Sequence, residues 1–246
     1  GIDIAGNLLQ TISKLSGSKH NPNDFIDGDS SRRDYGTILG LPYNQYIRPE
    51  VDIRWYKHLG GERQFVARLN AGVGYAYGNT IDMPFEKRFF AGGSSGIRAW
   101  QARTIGPGNY NRGTLSSDLV RKAIFGLDQL GDLRIETNFE YRYKLLDKFF
   151  GATLKGAAFV DAGNVWNLSD VDGEEKMFKF KKLGQQLALG TGLGLRYDVQ
   201  YFVFRFDVGL KLKDPQFTGS DQWVISKFLS GARDFKNDYN ATHGPD

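Results

Sequence analysis

The stretch GDLRIETNFEYRY, residues 131 to 143, alternates with a period of two. Leu133, Ile135, Phe139, Tyr141 and Tyr143 fall on one face, with Thr137 the weak member, and Arg134, Glu136, Asn138, Glu140 and Arg142 fall on the other. Such a period belongs to a strand whose two faces meet different surroundings. Four charges of both signs on one face are too many for the inside of a β-sandwich. The pattern recurs. Ile47, Val51, Ile53 and Trp55 oppose Arg48, Glu50, Asp52 and Arg54, and Phe65, Ala67, Leu69, Val73, Tyr75 and Tyr77 oppose Arg68, Asn70, Gly72 and Gly74. Leu189, Leu193, Leu195 and Tyr197 oppose Gly190, Gly192, Gly194, Arg196 and Asp198. Phe202, Phe204, Phe206, Val208, Leu210 and Leu212 oppose Arg205, Asp207, Lys211 and Lys213. With two less regular segments, seven strands are expected, at about 3–15, 45–57, 64–78, 131–143, 152–166, 188–198 and 201–213.

The connections between them alternate in length. Long segments at 16–44, 79–130, 167–187 and 214–246 are separated by short turns such as HLGGER, residues 58–63. Outer-membrane barrels have this rhythm, with short turns on one side, long loops on the other, a polar lumen face and aromatic residues at the interfaces. The mean hydropathy of −0.43 would ordinarily indicate a water-soluble chain. That inference does not hold for a barrel, whose strands present apolar side chains on one face only. No run of about 18 apolar residues could form a transmembrane helix. A soluble antiparallel barrel would bury the apolar face and leave the charged face in water, which alternation by itself does not exclude. The loop rhythm and the glycine-rich polar face favour a large barrel with something packed closely against its wall. Single-chain bacterial barrels have an even number of strands, and an open edge in lipid leaves backbone groups unpaired at several kcal/mol each. Seven strands are therefore expected to be part of a longer chain.

Within that frame FEKRFFAGGSSGIRAW, residues 85–100, resembles the long sixth extracellular loop of the BamA/TamA family of outer-membrane assembly and translocation proteins. The family's loop folds back into the lumen and carries an apolar residue, Arg, Gly and an aromatic at its tip. Here these are Ile97, Arg98, Ala99 and Trp100, so alanine stands where glycine is usual. A positive φ at that position would strain an alanine. FVDAGNVW, residues 159–166, resembles the family's wall strand whose Asp pairs with the loop arginine, and GTGLGLRYD and FRFDVGLKL resemble the two strands that follow.

The resemblance implies an all-β fold, an antiparallel transmembrane β-barrel. The chain would supply seven strands, nine to fifteen of a sixteen-stranded barrel, with periplasmic POTRA repeats and the closing strand outside it. It also implies a latch. Strand parity puts Asp161 on the same face as Thr153, Lys155 and Phe159, and Glu136 and Glu140 on the lumen side of the adjacent strand. Asp161 is the expected partner of Arg98, with Glu136 and Glu140 next. Gly92 and Gly93 let the backbone descend to the wall, Phe89, Phe90 and Trp100 pack it, and Gly163 supports the second signature. Arg205 and Asp207 read as a structural ladder of lumen charges.

The implied function is that of an outer-membrane assembly factor, which folds and inserts β-barrel proteins in a Gram-negative bacterium. Its partners would be unfolded outer-membrane barrels, the lipid bilayer and accessory envelope proteins or lipoproteins. The first and last strands would meet at a weak seam to which incoming strands add by edge pairing. A TamA-like or two-partner-secretion exporter is the alternative, as is a barrel anchoring an amino-terminal lipase-like domain; a plain diffusion porin fits the loop less well. The long outer loops are candidate partner sites.

Other chemistry finds little support. The absence of cysteine removes disulfides and Cys-based metal sites. His20, His58 and His243 fall in expected loops or turns without metal-ligand spacing. Gly190, Gly192 and Gly194 lack the helix and βαβ unit of a dinucleotide fingerprint, and Ser94 and Ser95 have no base nearby in sequence. The net charge of +4 arises from interleaved signs, unlike the one-faced basic charge of a nucleic-acid binder. No enzyme activity and no cofactor are expected. Residues 116–132 could form a short amphipathic helix inside the long loop.

Overall fold

The computed structural model describes residues 1–15, 34–39, 41–114, 129–169, 173–199 and 201–230. Among these residues ten strands appear in chain order: β1 Ile2–Ala5, β2 Thr37–Ile38, β3 Leu41–Pro42, β4 Tyr46–Gly60, β5 Arg63–Val73, β6 Tyr75–Ala76, β7 Leu133–Phe149, β8 Ala152–Trp166, β9 Ala188–Asp198 and β10 Val203–Lys213. Eight of them form one sheet in the order β1-β4-β5-β7-β8-β9-β10, with β6 beside β4, while β2 and β3 pair separately. β7 to β10 are antiparallel to their neighbours.

The chain divides into two compact units. One comprises Gly1–Val51 and Gly72–Phe89. In it β1 pairs antiparallel with the start of β4, and β6 pairs with the same stretch. The chain then turns at Gly6 into a helix over Asn7–Leu15. This corrects the strand expected over 3–15. The period of two stops at Ile4, the adjacent Leu8 and Leu9 break it, and Leu8, Ile12 and Leu15 follow the helical period instead. Gly6 sits at φ +79°, where a side chain is disfavoured, and a Cβ there would lie 2.2 Å from the Asn44 carbonyl oxygen. The strand therefore ends at this turn.

The other unit comprises Asp52–Ala71 and Phe90–Asp246. β4 and β5 are joined through Gly61 and Glu62, both at positive φ, which suits the twist of a tight hairpin. His58 lies in β4 rather than in the turn, while His20 and His243 fall outside the described residues. β7 runs on to Phe149, beyond the expected end near 143, because register shifts after Lys144 and Leu146 absorb the run Lys144, Leu145, Leu146 that breaks the alternation. The helix considered at 116–132 falls largely outside the described residues.

Burial in this unit is reversed relative to a water-soluble sheet. Leu193, Phe206 and Val208 are exposed, Val208 to 70%, whereas Glu136, Glu140, Asp161 and Arg196 are buried. Many of the buried apolar residues lie instead on the loop after Phe90 (Ala91, Ile97, Trp100, Ile105) and on β8 (Phe159, Val165, Trp166), with a smaller cluster of Phe217 and Val224 after β10. A soluble sandwich would do the opposite, since large exposed apolar faces require an apolar neighbour. β9 and β10, at 11 residues each, have the length of a tilted strand crossing a bilayer.

Leu193→Arg, at the middle of β9 on the apolar face, is expected to destabilise the full-length protein in liposomes by about 2–4 kcal/mol. Lys155→Arg on the opposite face is expected to change stability by about 0.5 kcal/mol or less. Denaturant unfolding compares the two, and equal costs would contradict the assignment of faces.

Candidate functional site

The site is assembled from rows of residues that run across four strands. Register places Asn138 of β7 opposite Asp161 of β8, Asp161 opposite Gly190 of β9, and Gly190 opposite Lys211 of β10. The next row is Glu140, Phe159, Gly192 and Gly209. One half of this face is thus charged and the other half nearly bare backbone. The loop from Phe90 to Trp100 descends onto both halves.

Arg98 occupies the charged half, with 5% of its side chain exposed. Its Nε donates to Asp161 Oδ2 at 2.8 Å and its Nη2 to Asp161 Oδ1 at 2.8 Å, a bidentate pair. The Arg98 backbone N–H also donates to Oδ2 at 3.0 Å. Nη1 donates to Glu140, and the guanidinium carbon lies 3.5 Å from the centre of the Phe159 ring. Asn138 Nδ2 donates to Asp161 Oδ1 at 2.9 Å and to the Gly96 carbonyl at 2.8 Å, so one side chain orients the carboxylate and the loop together. Burial works against the Arg98 charge, and the hydrogen bonds and charges of Asp161 and Glu140 outweigh it, holding the pKa of this loop residue above its ordinary value.

The charges continue outward from this pair. Glu140 also accepts from Arg142 Nε at 2.7 Å and Arg196 Nη2 at 3.2 Å. Arg196 and Arg205 are directly opposed on β9 and β10, an unfavourable pairing of like charges. Asp207 resolves it by accepting from both. Two further arginines grip the loop: Arg205 Nη2 donates to the Ser94 carbonyl at 3.0 Å, and Arg68 of β5 donates to the Ser95 carbonyl while pairing with Asp52. Among the described residues no cluster of three His, Cys, Asp or Glu side chains could hold a metal ion.

The Omp85 superfamily domain matches residues 31–227. The chain belongs to the Omp85 superfamily. Over 125 residues it is 26% identical to the outer membrane protein assembly factor BamA of Neisseria meningitidis serogroup B, a match that covers 50% of this chain and 14% of that protein. A crystal structure of BamA from Haemophilus ducreyi lacking POTRA domains 1–3 superposes with a TM-score of 0.52 at 19% identity, covering 72% of this chain and 33% of that one. The second likeness establishes a shared fold. The chain spans a minor part of either relative's length.

In this Omp85 chain the tip Ile97–Trp100 closes as a turn, the Trp100 N–H donating to the Ile97 carbonyl at 3.1 Å. Ala99 is not among the residues at positive φ, so alanine is unstrained where glycine is usual in the family's motif. What it requires is room. A Cβ added at Gly190 would lie 2.9 Å from Ala99 Cβ and 3.3 Å from the Trp100 ring, and one at Gly209 would lie 2.9 Å from Ala99 Cα. Trp100 is buried beside them, with Lys211 Nζ 5.3 Å from its ring centre.

The other expected residues fall in different places. Glu136 does not reach the guanidinium; its Oε1 accepts from the Gly92 N–H at 3.2 Å, and Gly96 lies so close that a Cβ there would be 2.6 Å from the same oxygen. Gly92, at φ +90°, faces the Gln101 carbonyl, and Gly93 donates to the Trp100 carbonyl at 2.8 Å, so this pair forms the neck of the loop. Gly163 lies where a Cβ would strike the Ile135 carbonyl oxygen at 2.4 Å. The Phe90 ring lies 5.3 Å from the Arg103 guanidinium. In the first unit, Phe89 is buried against Gly72 under the Arg48 guanidinium. Asn138, Phe159, Arg196 and Arg68 were not singled out from the sequence. Each lies at a lumen parity position on an alternating strand, and that signal could have drawn them in.

Arg98→Ala is expected to cost about 3–5 kcal/mol, because it leaves the buried Asp161 carboxylate without its cation and removes one of the three arginines that share Glu140. In a double-mutant cycle with Asp161→Ala the two losses should fall short of additive by about 0.5–3 kcal/mol; full additivity would mean that the pair is not coupled. Gly190→Ala should also destabilise the loop, and Ala99→Gly should recover part of that loss. The same second substitution should not rescue Gly209→Ala, which strikes backbone. Protease protection of the loop in the full-length protein reads all four.

Proposed function

We propose that this chain is the carboxy-terminal part of the barrel of an outer-membrane assembly factor of a Gram-negative bacterium, and that Arg98, Asp161 and Glu140 latch its sixth loop to the wall. The observation that carries the reading is the bidentate clamp of a loop arginine on a buried wall carboxylate. Membership of the superfamily supports it, as does the likeness to a protein named as an assembly factor. The chemistry is mechanical rather than catalytic. A buried ion pair adds little net stability but penalises every arrangement in which the partners separate. It therefore holds the wall and loop in one geometry while strands are exchanged elsewhere on the barrel.

In this reading incoming barrel strands add by edge pairing at a seam between the first and last strands. The lipid bilayer takes the exposed apolar face, and accessory envelope proteins or lipoproteins serve as partners. Export through the same barrel, as in a TamA-like or two-partner-secretion transporter, is the neighbouring function.

The full-length protein reconstituted in liposomes and given a urea-unfolded β-barrel substrate is expected to accelerate appearance of the folded, protease-resistant barrel over empty liposomes. Arg98→Ala and Asp161→Ala should each remove most of that acceleration. Passage of a soluble substrate into the lumen without barrel insertion would transfer the reading to export. Steady open-channel conductance with no effect on folding would identify a porin and overturn the proposal.

A further inference from the structure

The helix Asn7–Leu15, NLLQTISKL, faces the wrong way for a helix packed on a protein in water. Leu8, Leu9, Ile12 and Leu15 are spaced so that they share one stripe. All four are exposed, Leu8 to 73% and Leu15 to 83%, while Gln10 on the far side is partly buried. The orientation is set by specific contacts at the helix start. The Gln10 N–H donates to the Gly6 carbonyl at 2.9 Å, Tyr77 Oη donates to Asn7 Oδ1 at 2.5 Å, and Gly6 itself fits against Asn44 and Gln45 with no room for a side chain. The apolar stripe is therefore held outward.

The strand leading into the helix points its apolar side the same way. Ile2 and Ile4 are exposed, whereas Asp3 between them accepts from Lys87 Nζ at 2.7 Å and Tyr46 Oη at 3.2 Å on the opposite face. Register places Ile2 across from Pro49 and Ile4 across from Ile47, on the same face as exposed Val51. An outward apolar band thus runs from the strands, through a one-residue turn, into the helix stripe. Lys14 in the last turn is the basic residue of this helix. A helix with one apolar stripe and one polar side is suited to lie in the plane of a membrane interface.

We infer that Asn7–Leu15 is an interfacial helix. It immerses Leu8, Leu9, Ile12 and Leu15 in the boundary between headgroups and acyl chains, at the end of the barrel bearing the long loops. The occupant of the stripe is lipid, because the stripe continues the face that the strands present to the bilayer. The inference rests on the barrel reading proposed above and adds a contact outside the strands. It lets one loop ride at a fixed depth in the outer leaflet and keeps the start of that loop from lifting into water.

The test uses the full-length protein, in a background without other cysteines, reconstituted in phospholipid vesicles. Single cysteines at Leu8, Ile12, Leu15 and Lys14, with Val208 as a strand reference, carry spin labels whose collisions with oxygen and a water-soluble nickel chelate are compared. The expected result is a high oxygen-to-nickel ratio at 8, 12 and 15, matching 208, and a several-fold lower ratio at 14. If 208 reads as lipid while 8, 12 and 15 read as water, the interfacial helix is overturned and the barrel stands. If 8, 12 and 15 are shielded from both reagents, protein covers the stripe and the inference fails in a different way. If 208 itself reads as water, the barrel reading falls, and the inference with it.

Discussion

A guanidinium taken out of water needs acceptors, and Arg98 obtains three for its side chain from one small area of wall. Asp161 takes two side-chain N–H groups and a backbone N–H, Glu140 takes a third side-chain group, and the Phe159 ring covers the flat face. Both carboxylates are buried with the arginine, so Arg98 and Asp161 are not tolerable apart, while Glu140 keeps two further arginines. The neighbouring arrangement follows. Arg142 and Arg196 share Glu140, Asp207 stands between Arg196 and Arg205, and Asn138 fixes the rotation of Asp161. A hydrogen-bonded network of this density holds its members in one arrangement more than it adds net stability.

The glycine half of the wall is the geometric complement of the charged half. Gly190 and Gly209 contribute no packing and weaken the strands that carry them, yet they allow the tip of the loop to rest directly on backbone. Ala99 shows how narrow that allowance is. A methyl group on one side of the contact is accommodated by its absence on the other, so the identities at positions 99 and 190 form a matched pair even though they are far apart in the chain. A departure that looks unfavourable when the tip is considered alone is thus neutral once its partner surface is known.

Much of this could be read from the sequence because a strand has a period of two. Parity along 131–143 and 152–166 puts Glu140 and Asp161 on the charged faces of their strands, and across β7 and β8 they lie within two residues of one another. What parity cannot supply is register and depth. Glu136 and Glu140 were equivalent by pattern, and only the course of the loop sends Gly92 to one and Arg98 to the other. The partnership of Arg196 with Asp207 likewise depends on how β9 slides against β10. The helix at Asn7–Leu15 was obscured for a different reason: Ile2 and Ile4 begin a convincing alternation, and the change of period after Gly6 occupies too few residues to stand out. The extension of β7 to Phe149 was hidden by irregularities that interrupt the pattern without ending the strand.

Two adjacent carbonyls, those of Ser94 and Ser95, are held by arginines from strands that are not neighbours, Arg205 on β10 and Arg68 on β5. Between those strands lie β7, β8 and β9. The Ser94–Ser95 segment therefore acts as a tie across an arch, fixing the chord between two points on the curved wall. A sheet tied in this way resists both flattening and tighter curling over that span.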